Sequence, residues 1–205
     1  MAAARTNQPE TAALRQLRSL GGAFRTSQAR ELGIPSRTLA RLRDDGHIDQ
    51  LSLGVYRLAS LPQPAEPDLL IVATRLPRAV LCLVSALAFH DLTEEVPHEV
   101  NIALPRGAEQ PRLAHPPLRV IRLRPQSFEA GVEVHRVDGV DLRVYSPAKT
   151  IADCFQFRLQ VGLETALSAL KALRKRRGFD PEQLLQFASI CRVERIVRGY
   201  LEAIL

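Results

Sequence analysis

Arg37 and Arg41 stand four residues apart in SRTLARLRDD, residues 36–45, with Ala40 between them and Ser36 and Thr38 at the start. On a helix of about 3.6 residues per turn this spacing sets Arg37, Ala40, Arg41 and Asp44 on one face and Leu39 and Leu42 on the other. A guanidinium fork matches O6 and N7 of guanine, and a small apolar side chain meets a thymine methyl. Hydroxyls near a helix start, such as those of Ser36 and Thr38, can bond a phosphate. The chemistry these residues can do is therefore reading a DNA major groove. The plainer alternative is that both arginines only solvate a surface helix.

The elements that must position such a face are legible on either side. Thr26 or Ser27 can cap a first helix that ends at Gly33, a residue able to take the left-handed conformation, and Ile34-Pro35 forbids its continuation. Ser36 is expected to cap the second helix, and Gly46 to close it as Gly33 closes the first. Ser27 and Gln28, at the start of the first helix, join the candidate DNA-contacting set. The next stretch, HIDQLSLGVYRLA, reads as two strands around a turn at Leu53-Gly54. Gln50, Ser52 and Arg57 would there reach the DNA backbone or minor groove, or else be ordinary polar residues of a strand. Together these signals predict a winged helix-turn-helix.

Composition agrees with a polyanionic partner. The formal net charge is +6, and residues 1–62 hold +4 of it, with nine Arg, no Lys and five acids. At 205 residues and 46% apolar content, a small and a medium domain are expected. Residues 1–9 are expected to be unstructured, and Leu14, Leu17 and Leu20 to line a helix that stops at Gly21-Gly22. SLPQPAEPD, residues 60–68, has three prolines in nine positions and reads as an extended connector. The reading is thus a DNA-binding domain over 8–60, a linker over 61–68 and a mixed α/β domain over 69–205, an α+β chain in all.

In the second part, DLLIVATRL reads as a helix capped by Asp68, AVLCLV as a buried strand or the start of a helix, and Ser85 as the opening of ALAFHDL. VPHEVNIALP and LRVIRL are strand-like, and Asp138-Gly139 between two alternating runs is a hairpin signal. Ser146-Pro147 opens SPAKTIADCFQF, and a helical tail follows in which Asp180-Pro181-Glu182-Gln183 forms a capping box. Cys82, Cys154 and Cys191 lie far apart in apolar surroundings and are read as buried thiols, giving neither a redox pair nor a zinc pattern.

Four blocks occur in a telling order: GIPSRTLARLRDDGHIDQLSLGVYRLA, LVSALAFHDLT, PHEVNIALPRG and VYSPAKTIADCF. In order and spacing they resemble the AbiEi antitoxin family of type IV toxin-antitoxin systems, from about Leu14 to the end of the chain. The resemblance implies an N-terminal winged helix that binds inverted repeats in its own promoter and represses its operon. It also implies a C-terminal domain that antagonises a nucleotidyltransferase-like toxin, with or without stable contact. It carries the DNA-contacting role onto Ser36, Arg37, Thr38 and Arg41, and onto Arg57.

Catalysis is not expected. His90-Asp91 with Glu94 and Glu95 lacks the second His or Cys set of a transition-metal site. Lys149 and Asp153, one helical turn apart, are read as an ion pair that fixes a helix rather than a toxin-facing pair. An endonuclease would need two acids followed by a lysine, and Glu99 and Asn101 are not followed by one. Phosphate loops, serine elbows and paired Cys/His arrangements are missing too. The sequence thus predicts no cofactor or metal, and it holds no apolar membrane span or leader segment, so a cytoplasmic protein is expected. The other binding class left open is a winged module that docks a protein and never DNA.

Overall fold

In the computed structural model the chain is described from residue 7 to 204, with side chains from residue 12 to 203. It mixes helices and sheets and divides into two units: residues 1–77 with 136–142, and residues 78–135 with 143–205. The division falls after Pro77, not within the proline-rich stretch 61–68. Its physical basis is Leu70, which is buried with Ala23 and Val55 and so ties the following helix to the first unit.

The first unit runs α1 (Asn7–Arg18), β1 (Phe24–Arg25), α2 (Thr26–Glu31), α3 (Ser36–Asp44), β2 (Ile48–Ser52), β3 (Val55–Leu58) and α4 (Pro67–Arg75). Of the expected unstructured start, residues 1–6 lie outside the described residues and 7–9 are helical. Its antiparallel sheet has the order β1-β3-β2, with Phe24 opposite Tyr56 and Ile48 opposite Leu58. Leu17, Phe24, Ala29, Ile34, Leu39, Leu42, Ile48 and Leu58 close one core. The leucines expected to face inward on α3 do so.

The second unit holds β4 (Val80–Leu81), α5 (Leu83–Phe89), β5 (Val100–Pro105), β6 (Leu118–Leu123) and α6 (Pro125–Glu129). It continues with α7 (Pro147–Gln156), α8 (Arg158–Val161), α9 (Leu163–Arg174), α10 (Pro181–Ile190) and α11 (Glu194–Ile204). Strands β7 (Val132–Val137) and β8 (Val140–Tyr145) join on a turn in which Asp138 and Gly139 both have positive φ, the geometry that Asp-Gly favours. The five-stranded order is β6-β5-β4-β8-β7, with β5 and β6 parallel. Every residue of β5 except Pro105 is buried, which erases the alternation a half-exposed strand would show. Helix α7 is the hub: Ala148 through Phe155 are all buried, and it packs against α5, α9 and α10.

Several helix starts differ from expectation by one to three residues. Pro35, extended at φ −67° and ψ 153°, is itself the N-cap of α3, and Ser36 is already helical. Glu66 precedes α4 in the place given to Asp68, with Pro67 at the first helical position. Helix α5 starts at Leu83, and Ser85 instead accepts the Asn101 amide on its hydroxyl at 2.8 Å. Where Ser146 and Asp180 were expected to cap, they do: Ser146 accepts from the Lys149 amide, and Asp180 from those of Glu182 and Gln183.

Candidate nucleic-acid interface

The turn between α2 and α3 is fixed by backbone geometry. Gly33 takes φ +78°, its amide donates to Arg30 O at 2.9 Å, and the Ile34 amide reaches Ala29 O at 2.9 Å. That pair of bonds is a Schellman closure, and it drops Ile34 into the core. Gly46 at φ +73° repeats the motif at the end of α3, with the His47 amide donating to Leu42 O at 2.8 Å. Both helices are thus stopped by carbonyl satisfaction at a glycine, which leaves a short, defined turn.

Helix α3 then presents its predicted face. Ser36, Arg37 and Arg41 are exposed, and Thr38 and Ala40 are half-buried. The first amides of a helix have no intrahelical acceptor, and they sit at the positive end of its macrodipole, which suits phosphate. Ser36 is not free at its oxygen: Oγ accepts from Arg30 Nε at 3.3 Å and Nη2 at 3.0 Å. Arg30, on α2, is therefore held beside the start of α3. Sequence reading did not assign it, because nothing in a linear spacing of six residues across a turn shows that the two side chains meet. Arg43 is a second such residue: it donates to Asp44 Oδ1 through Nε and Nη2, and through Nη1 to Gln50 Oε1 at 3.1 Å, linking α3 to β2.

The remaining candidates divide. Ser27 is exposed at the start of α2. Gln28 is half-buried, and its Oε1 accepts at 2.8 Å the amide of Arg25, which holds the N-cap position expected of Thr26 or Ser27. Gln50 and Ser52 flank an irregularity in the β2–β3 ladder, and the turn beyond places Leu53 at 82% exposure.

Arg57 is a correction. It is 3% exposed, and its Nη2 donates to the carbonyls of Leu61 at 2.6 Å and Pro62 at 2.5 Å. The face of β3 that carries Val55 and Arg57 is not open to solvent, because Leu70 of α4 and the chain after β3 cover it. A guanidinium committed in this way does not reach a groove.

The second unit buries Lys149, Asp153 and its three cysteines. Lys149 Nζ donates to Asp153 at 2.7 Å (Oδ1) and 2.6 Å (Oδ2), with side-chain exposures of 0% and 2%. Cys191 Sγ donates to the same Oδ1 at 3.2 Å, and the ammonium lies 4.1 Å from the centre of the Tyr145 ring. Burial pushes the Asp153 carboxyl up, opposed by the Lys149 ammonium and the thiol. Burial likewise raises the thiols of Cys82, Cys154 and Cys191, all free and buried, so none is poised as a thiolate. The ion pair expected from the helical spacing of Lys149 and Asp153 is formed, and it is buried.

His90 Nε2 is 2.8 Å from Tyr145 O and is held by it, and burial lowers the imidazole below its ordinary range. Among the described residues no three His, Cys, Asp or Glu side chains group as a metal site, and no helix is long and apolar enough to cross a membrane. Glu99 lies 3.8 Å from Arg119, and the Asn101 side-chain amide donates to Glu99 O.

The two-helix arrangement and its hairpin fall within one segment that has known relatives. Residues 13–59 match the AbiEi antitoxin family of transcriptional regulators. The matched segment contains α2, the turn, α3 and the β2–β3 hairpin, together with every residue singled out above for DNA. The wider fold is similar to the crystal structure of the RV2827C protein from Mycobacterium tuberculosis, with a TM-score of 0.56 and 13% identity over 96% of this chain and 80% of that one. A comparison with curated proteins gives no match.

Proposed function

We propose that the matched segment is a winged helix-turn-helix that binds double-stranded DNA. The observation that carries this is the face of α3: Ser36, Arg37 and Arg41 outward over the leucines of the core, with Arg30 latched to the helix start. Arg37 and Arg41 read base edges, and Arg30 and the first amides of α3 hold phosphates. The chain represses its own operon through inverted repeats in the promoter and acts, without catalysis and in the cytoplasm, as the antitoxin of a type IV toxin-antitoxin system. Its C-terminal part antagonises a nucleotidyltransferase-like toxin.

Fluorescence anisotropy on the upstream promoter and on a scrambled duplex, at two salt concentrations, tests the DNA half. Selective binding that weakens with salt is expected. Equal and feeble binding to both would favour the protein-docking reading, for which Leu53, exposed on the hairpin turn, would be the anchor. Co-expression of the chain with the adjacent toxin tests the other half, and continued growth arrest would count against it.

A further inference from the structure

In the second unit a recess of about 200 Å³ is lined by Arg106, Arg122, Arg124 and Arg192, together with Ser127 and Phe157. No acid lines it, and among the described residues none of the four arginines is paired with a carboxylate. The polar side-chain bond formed by one of them is neutral, from Arg122 Nη2 to Gln110 Oε1 at 3.0 Å. Four unneutralised guanidiniums around one concavity repel each other, and an anion relieves that repulsion.

Two features of the backbone show how the cluster is assembled. Strands β5 and β6 are parallel, with Pro105 opposite Leu123 at their C-terminal ends. Arg106 and Arg124 are the next residues, held side by side by the Arg106 amide donating to Leu123 O at 2.8 Å. Independently, Arg192 has φ +61° at the close of α10, where its amide donates to Ser189 O and that of Val193 to Ala188 O. That is the left-handed closing position that favours glycine, which Gly33 and Gly46 occupy elsewhere in this chain. An arginine held there against its backbone preference, with its side chain on the recess, has a use beyond ending a helix.

We propose that this recess binds the di- or triphosphate group of a small ligand. Guanidinium forks bind phosphoryl oxygens in pairs, and a recess of this volume takes a short phosphate chain. A recess with charge on several sides favours a compact anion over the extended backbone of a duplex. The site lies outside the matched segment and does not depend on what that segment binds.

Titration calorimetry of the full chain with inorganic pyrophosphate and with ADP, at about 150 mM salt, tests it. One-to-one binding is expected, weakened about tenfold or more by Arg192→Gly and by Arg124→Gln. Arg192→Gly is the decisive variant, because glycine suits its backbone and the melting temperature should hold or rise while binding falls. Tighter binding of ADP than of pyrophosphate assigns a nucleotide; equal affinity assigns an inorganic phosphate chain. No binding of either probe at millimolar concentration, or affinities unmoved by both variants, overturns the proposal. So does loss of scrambled-duplex binding in Arg192→Gly without any phosphate binding, which would give these arginines to the DNA backbone.

Discussion

Arg30 Nη2 lies 3.0 Å from Ser36 Oγ, so the last turn of α2 is tied to the first residue of α3 across the turn. The guanidinium stays exposed on that tether, beside the end of α3 that attracts phosphate. Arg30→Ala should therefore weaken binding to promoter and scrambled duplexes alike, and lower the salt slope of log affinity by about one. Anisotropy over a salt series reads both. A loss confined to the promoter would mean that Arg30 contacts a base.

Arg41 sits one turn beyond Arg37 on the exposed face. Arg41→Ala should cost about 1–3 kcal/mol on the promoter, and far less on scrambled DNA, if its fork spans a guanine edge. A gel-shift titration in which promoter affinity is unchanged removes it from the reader set.

Arg57 gives the opposite expectation. Truncating it removes a buried guanidinium and its bonds to the partly buried carbonyls of Leu61 and Pro62, a loss of about 1–3 kcal/mol in all. Arg57→Ala should lower the melting temperature, yet at a temperature where the variant is folded its promoter affinity should match the parent. Reduced affinity with unchanged melting would restore a DNA role.

Burial lowers the His90 imidazole, whose Nε2 stays within hydrogen-bond distance of Tyr145 O. Because the folded value lies below the unfolded one of about 6.5, the unfolded chain takes the proton more readily. The contribution to stability is complete above that value and is lost as pH falls through the folded one. Denaturant midpoints should thus drop on acidification below about pH 6.5, and His90→Gln should flatten part of that drop.

Local signals that depend on one or two residues were legible in the sequence: Gly33 and Gly46 as helix stops, Asp138-Gly139 as a turn, Ser146 and Asp180 as caps, Leu39 and Leu42 as the inner face of α3. What failed needed a third partner. Arg57 is polar on a short strand and reads as a surface residue until Leu70, thirteen positions away across a proline-rich stretch, is seen to be buried beside Val55. Ser36 is a good cap by type, but Pro35 already holds the extended conformation a cap requires. The pairing of Arg30 with Ser36 and the gathering of four arginines in the second unit come from turns and strand ends whose closure no linear pattern encodes.

Lys149 and Asp153 offer the sharpest separation of structure from recognition. Asp153→Ala would strand an ammonium that is wholly buried, and breaking one side of such a pair costs about 3–5 kcal/mol. Replacing both partners by apolar residues of similar volume, Lys149→Met with Asp153→Leu, removes the stranded charge and should recover most of that loss. Urea unfolding of the single and double variants forms the cycle. If the pair serves packing alone, the double variant should also keep promoter binding and toxin antagonism. A stable double variant that no longer antagonises the toxin would show that the buried pair shapes the surface the toxin responds to.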